Sequence, residues 1–281
     1  MERNYIDLHV HSNASDGSMT PSEVVKLADD AGLYAFALTD HDCVNGLEES
    51  MSAAEHYEVK VIPGIEITAS YHGEDAHILG LNIDYRNQAL IDSCNHLQNV
   101  RNERNRKITN LMNANGFAID ADRFFEEHAH TSITRMHYAR YLLEHGYVSD
   151  ANEAFHKYLN PGGVLYVPRE KIVPQDAIAL IHAAGGHAVL AHPVLYKWSR
   201  CCLMDCLKEL KAMGIEGIEA IYSRNTPVHE KTFKEAAKEL GLFITGGSDF
   251  HGINKPDIQI GTGCGNLQIP KELLSFQFIT A

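Results

Sequence analysis

Long hydrophobic runs are missing from this chain. The longest, such as Leu33-Tyr34-Ala35-Phe36-Ala37-Leu38, fall far short of the ~20 apolar residues a membrane-spanning helix needs. Met1 to Tyr5 run straight into a strand-like pattern with no signal-peptide core, so a soluble, cytoplasmic protein is expected. Paired cysteines are missing too. Cys43, Cys94, Cys201, Cys202, Cys206 and Cys264 show no C-x-x-C spacing of a structural zinc site, and reduced thiols suit the cytoplasm. Cys202 and Cys206 would share a helix face and are read as packing residues. Positive charge is scarce, with 24 Lys and Arg against 37 Asp and Glu, a formal net charge of −13. That balance excludes broad binding to duplex nucleic acid, which needs cations facing phosphates. The glycine pairs Gly162-Gly163, Gly185-Gly186 and Gly246-Gly247 lack phosphate-loop or dinucleotide spacing and read as turns or close packing. No G-x-S-x-G elbow is present, which leaves serine-based acyl transfer without support.

What is there is a core-forming composition and an excess of histidine. The 281 residues are 44% hydrophobic, enough for one large α/β barrel or a domain with a sizeable insertion. Seven short apolar segments read as buried parallel strands: 5–11, 35–40, 59–66, 76–81, 187–192, 215–222 and 243–247. Helical stretches lie between many of them. Thr20 before Pro21 reads as the N-cap of a helix through Asp30. The helices at 175–184 and 226–240 are expected to end at Gly185-Gly186 and Gly241. Strand-helix alternation implies a parallel sheet, closed or nearly closed. From about 87 to 171 the pattern is helical and polar, and it reads as an insertion. Arg101, Arg104, Arg106 and Lys107 are expected to begin one helix there, and His137 to His145 to lie in another. Residues 101–140 hold seven Lys or Arg against five Asp or Glu, a local +2 where an anionic substrate could be gripped.

The chain has 17 histidines, and their placement is informative. Side chains two apart on a strand share a face, so His9 and His11 project together from the first strand. Asp16 follows in the next loop. His41 closes the second strand between Asp40 and Asp42, Glu66 ends the third, and His77 starts the fourth. His192 ends the fifth, and Asp249 and His251 end the seventh. All but His77 fall at or just beyond the C-terminal end of a predicted strand, where β/α barrels build active sites. Six His and three acids suit two or three divalent ions such as Zn, Mn or Fe, with Glu66 a natural bridge. Asp40 and Asp42 read equally as ligands, as groups orienting His41 or as caps. His187 reads as packing. His56, His72, His96, His128, His130, His145, His156, His182 and His229 have no such placement and read mostly as surface residues.

Asp7-Leu8-His9-Val10-His11-Ser12 with Asp16-Gly17, Thr39-Asp40-His41-Asp42, Pro63-Gly64-Ile65-Glu66, Ala191-His192-Pro193 and Gly247-Ser248-Asp249-Phe250-His251 resemble the polymerase-and-histidinol-phosphatase (PHP) family, in its motif order. The resemblance implies a distorted (β/α)7 barrel, residues 1–86 plus 172–281, with 87–171 as a helical insertion capping the substrate. It also implies a trinuclear site. His9, His11, Glu66 and Asp249 would hold one metal, Glu66, His77 and His192 a second, and Asp16, His41 and His251 a third. Within the family, Ile133-Thr134-Arg135-Met136-His137 and the insertion look most like the TrpH/YciV-type phosphoesterases. That likeness implies a 3′,5′-nucleotide bisphosphate 3′-phosphatase, a 5′→3′ exonuclease on short oligonucleotides, or both.

The expected chemistry is attack on phosphorus by a hydroxide held between two metals. Arg135 and His137 would bind the non-reacting phosphate, with Arg224, Arg101 and Arg104 as poorer candidates. The rivals are a histidinol-phosphate phosphatase, which calls for an acidic pocket, and a metal-dependent amidohydrolase attacking a carbonyl. A non-catalytic module of the kind attached to replicative polymerases is disfavoured, because no ligand position is missing. Metal identity and oligomeric state stay open at this point.

Overall fold

Seven strands form one sheet in chain order in the computed structural model, which describes residues 3–128, 133–168 and 170–274. They are β1 (Ile6–Val10), β2 (Ala35–Leu38), β3 (Lys60–Tyr71), β4 (Glu74–Leu81), β5 (His187–Leu190), β6 (Gly217–Tyr222) and β7 (Phe243–Gly247). The sheet edges meet: Asp249 N donates to His9 O at 2.8 Å and His11 N to Phe250 O at 3.0 Å, so the barrel nearly closes between β1 and the end of β7.

The strands are not all parallel. β1–β2–β3 and β5–β6–β7 are, but β4 runs antiparallel to both β3 and β5. The reason is local. β3 and β4 are joined by His72-Gly73, whose φ values of 50° and 84° are both positive, as a two-residue hairpin turn of type I′ demands. β3 also continues past Glu66 to Tyr71, so Glu66 lies mid-strand rather than at a strand end.

The helices are α1 (Pro21–Asp30), α2 (Leu47–Ala54), α3 (Gln88–Ala114), α4 (Ala121–Glu127), α5 (Arg135–Glu144), α6 (Ala151–Ala154), α7 (Pro174–Ala183), α8 (Arg200–Met213) and α9 (Pro227–Leu240). A short π-helical stretch, Phe155–Leu159, follows α6. Thr20 and Glu23 form a reciprocal capping box at the start of α1, and Gly241, at φ 63°, ends α9. Alternate residues of β2 serve two cores. Phe36 and Leu38 belong to the core that includes Val24 of α1, Ile178 of α7, Leu207 of α8 and Phe233 of α9, whereas Ala35 and Ala37 belong to the one that includes Ile6, Leu79 and Val189.

The chain divides into two compact units, 1–94 with 171–281, and 95–170. Helix α3 contributes to both, Leu90 and Cys94 to the barrel core and Ile108 and Met112 to a second core with Phe124, Tyr138 and Leu142. Arg101, Arg104, Arg106 and Lys107 therefore sit mid-helix and do not begin one. Asn87 accepts from Leu90 N at 3.1 Å at the helix start, and no Gly or Pro interrupts the residues that follow. Among the described residues no helix is long and apolar enough to cross a membrane.

Candidate metal centre

Five imidazoles converge on one carboxylate. Glu66 Oε1 lies 2.8 Å from His77 Nδ1 and 3.0 Å from His192 Nε2. Its Oε2 lies 3.2 Å from each of His9 Nε2, His11 Nε2 and His41 Nδ1. Asp249 Oδ1 approaches His9 Nε2 at 3.7 Å, His11 Nε2 at 3.5 Å and His251 Nδ1 at 3.4 Å. Asp16 Oδ1 is 3.2 Å from His251 Nε2, and its Oδ2 is 3.9 Å from His41 Nε2. All nine residues read from the sequence as metal ligands meet here. His77 ceases to be an exception, because β4 runs antiparallel and its N-terminal half, which carries His77 opposite Thr68, lies at the same rim as Glu66 and His192.

The donor atoms fit metal ions better than hydrogen bonds. His9 Nε2, both ring nitrogens of His11, His41 Nδ1, His192 Nδ1 and Glu66 Oε2 are buried without a hydrogen bond. Each such orphan costs about 1–3 kcal/mol unless something else satisfies it. Four overlapping groups could hold an ion: His11, Asp16, His41 and His251; His9, Glu66 and His192; His9, His11 and Asp249; and His41, Glu66 and His77. Imidazole and carboxylate together favour a divalent first-row metal.

Electrostatics follow from this crowding. Burial alone would raise Glu66, but the imidazoles of His41, His9 and His77 hold it well below the usual carboxylate range. Burial works the same way on Asp249, and Lys255, His251 and His9 together lower it. Burial, with His251 alongside, pushes His11 well below its ordinary value. His9 goes the other way. Burial opposes its charge, yet Glu219 and Glu66 raise it well above the ordinary value.

A ring of buried groups holds these ligands in place, and most of it was not singled out in the sequence. Glu219 of β6 accepts from His9 Nδ1 at 3.0 Å and from His192 N at 2.7 Å. Its signal was a carboxylate inside an apolar strand. Asp7 accepts from the backbone N–H groups of Ser248 at 2.8 Å and Gly261 at 2.7 Å, lacing β1 to the chain after β7. Tyr222 donates to Asp249 at 2.8 Å, and Lys255 Nζ lies 2.6 Å from the same Oδ2. Asp40 and Asp42 do not join the ligand groups. Asp40 accepts from Ser12 N, Ser12 Oγ and Ser15 Oγ at 2.6–2.8 Å, and Asp42 accepts from Thr68 N at 2.8 Å. Asp42, His192 and Asp249 all hold positive φ, of 52°, 27° and 60°, strain that collects where geometry is imposed by function.

The other candidates are not members of these ligand groups. Arg224 is exposed and paired with Asp257 at 3.1 Å. In the helical unit Arg135 opens α5 and donates to Leu159 O at 3.3 Å, and His137 Nδ1 accepts from Thr134 N at 3.0 Å. Arg104 donates to Asn105 Oδ1 at 2.8 Å, and both Arg101 and Arg104 are buried. His187 faces Glu216 at 3.2 Å. His56, His72, His96, His145, His156 and His182 are exposed, His128 and His229 half-buried, and His130 lies outside the described residues. Cys202 and Cys206 do share a helix face, with sulfurs 3.8 Å apart.

A nearly closed barrel that gathers six imidazoles and three carboxylates at one rim defines a metal-binding hydrolase. The PHP domain matches residues 7–161, and the chain belongs to that family. It is 36% identical over 248 residues to a 3′,5′-nucleoside bisphosphate phosphatase of Chromobacterium violaceum, covering 88% of this chain and 87% of the relative. It is likewise 36% identical over 251 residues to a 5′-3′ exoribonuclease of Haemophilus influenzae, covering 87% and 89%. A Bifidobacterium adolescentis crystal structure, named as a metal-dependent phosphoesterase, superposes with a TM-score of 0.80 at 28% identity, covering 94% of this chain and 92% of that one.

Proposed function

We propose that this protein is a metal-dependent phosphoesterase that breaks the 3′-O–P bond of nucleotides. Its substrates are 3′,5′-nucleotide bisphosphates and the 5′ ends of short oligonucleotides. The observation that carries the reading is the meeting of five imidazoles on the two oxygens of Glu66, with Asp249 beside them. The phosphatase and exoribonuclease names of relatives that match most of the chain support the substrate class.

The ligand sets would be His9, His11, Glu66 and Asp249; Glu66, His77 and His192; and Asp16, His41 and His251. Three divalent ions, Mn, Fe or Zn, suit them. Such ions neutralise charge on a phosphoryl group and bring the pKa of water to about 7. This chain's own residues do the positioning. Glu219 turns His9 so that Nε2 faces the centre, Glu66 would belong to two of the ligand sets, and Lys255 and Tyr222 hold the Asp249 carboxylate. Arg135 and His137, from the insertion read as a cap over 87–171, would grip the non-reacting phosphate; this rests on the motif Thr134-Arg135-Met136-His137. Six free thiols suit a reducing cytoplasm.

The test is to measure bound metals and then compare phosphate or nucleotide release from 3′-phosphoadenosine 5′-phosphate, AMP, histidinol phosphate and 5′-phosphorylated oligonucleotides. The first and last should be preferred. Preference for histidinol phosphate would overturn the substrate class, and absence of bound metal in an active enzyme would overturn the site.

A further inference from the structure

A cavity of about 430 Å³ opens on the same unit as the metal centre, its wall including Pro193, Lys197, Trp198, Arg200, His229 and Phe233. Pro193 directly follows His192, so this wall begins one peptide away from a candidate metal ligand. Rings continue the path: the His192 and Tyr196 centroids are 5.8 Å apart, and those of Tyr196 and Trp198 4.7 Å. The segment is fixed at both ends in the left-handed region, with φ of 27° at His192 and 54° at Lys197.

The lining chemistry is unusual for this protein. No carboxylate lines the cavity, although the chain carries 37 acidic residues against 24 basic ones. Arg200 is 3.5 Å from Glu235 in an exposed pair, worth about 0–1 kcal/mol and readily exchanged for a phosphate. Among the described residues, the Lys197 ammonium has no hydrogen-bond or ion-pair partner. Trp198, half-buried, supplies a broad aromatic surface beside these cations. An aromatic platform flanked by cations is how single-stranded nucleic acid is held without reading its sequence.

Removing a 3′-phosphate and releasing the first nucleotide of an oligonucleotide break the same 3′-O–P bond. They differ only in whether the departing phosphoryl group carries a further nucleoside. Using the chain requires a subsite beyond the reacting phosphorus. We propose that this cavity is that subsite: Trp198 stacks the base attached to the reacting phosphate, and Lys197 and Arg200 hold the next phosphodiester. The inference rests on the phosphoesterase reading above.

Trp198 is the chain's one tryptophan, so its emission reports the subsite directly. The metal-loaded protein is titrated with a 5′-phosphorylated tetranucleotide whose first 3′-oxygen is replaced by methylene, which prevents cleavage. Saturable quenching is expected, and little from the matching mononucleotide bisphosphate analogue. In turnover, Trp198→Phe, Trp198→Leu and the Lys197→Ala/Arg200→Ala double variant should raise KM for a cleavable tetranucleotide. For the Leu and double variants the rise should be about tenfold more than for 3′-phosphoadenosine 5′-phosphate, through the lost stack in the first and the lost phosphodiester contacts in the second. Phe should fall between wild type and Leu. Absence of quenching by the tetranucleotide, or equal effects on both substrates, would overturn the subsite. Selective quenching in a wild type that cleaves neither substrate would overturn the phosphoesterase reading and leave the subsite standing.

Discussion

Glu219 Oε1 lies 3.0 Å from His9 Nδ1, and neither side chain has any exposed surface. A carboxylate can only accept, so Nδ1 donates to Glu219 and Nε2 turns toward Glu66 and Asp249. The other Glu219 oxygen takes His192 N at 2.7 Å, so one residue positions two candidate ligands from different strands.

Glu219→Gln should therefore fold and still bind metal weakly. An amide offers one oxygen for two acceptor duties, and loss of such an outer partner lowers metal affinity about 10–100-fold. Competition with a chelator, read by metal content, checks this. Wild-type affinity in the variant would mean that Glu219 only fills space.

Metal uptake should release protons. In the metal-free protein His9 is raised well above its usual value by Glu219 and Glu66 against the opposing effect of burial, so near neutral pH it holds a proton that a ligand cannot keep. The sign is definite. The raised pKa of His9 stabilises the metal-free fold below the unfolded value of ~6.5, and that contribution fades as pH climbs through the folded value. His11, lowered by burial and His251, acts oppositely, and its contribution is lost as pH falls below ~6.5. Titrating metal by calorimetry at pH 7 in buffers of different ionisation enthalpy should give different apparent heats. Identical heats in all buffers would refute the protonated His9.

Much of this was legible before the fold, for definite reasons. His9 and His11 share a strand face because side chains alternate, and Thr20-Pro21 announced α1 because a cap and a proline fit only a helix start. The direction of β4 was missed, although His72-Gly73 carried the turn signal, because an apolar strand reads the same both ways. Glu66 appeared to end its strand because the register past it depends on the hairpin partner. Glu219 and Asp7 were missed because their roles come from residues 27 to 254 positions away, in contacts that no local pattern encodes, and Lys255 because its pairing with Asp249, 6 positions back, depends on how the chain turns after β7.

Gly247 and Gly185 should respond differently to alanine. A Cβ at Gly247 would land on the Cβ and backbone nitrogen of His9, neither of which can swing aside, and on Glu219 Oε1. Overpacking there costs about 1–3 kcal/mol or more and displaces a candidate ligand, so activity should fall with stability. Gly185, at φ 72°, meets nothing within 4 Å, and its alanine variant should lose only the ~1–2 kcal/mol of left-handed backbone strain while keeping activity. Denaturant midpoints and turnover measured on both variants check the contrast. Full activity in Gly247→Ala would show that β7 does not press on His9 as described.

Asp249 combines charge and backbone, and two substitutions separate them. Its φ of 60° is tolerated by Asp and Asn better than by Ala, whose Cβ gains nothing from a local hydrogen bond. Its carboxylate faces His9, His11 and His251 and takes Lys255 Nζ at 2.6 Å. Asp249→Asn keeps the shape and the backbone but removes the anion, so it should lower kcat/KM at least ~100-fold, more than loss of an outer partner would, with reduced bound metal. Asp249→Ala should match that loss and add about 1 kcal/mol of instability from the backbone alone. Metal content, turnover and unfolding midpoints measured on the pair distinguish these effects. An Asn variant that keeps its metals and turns over at the wild-type rate would remove Asp249 from the ligand set.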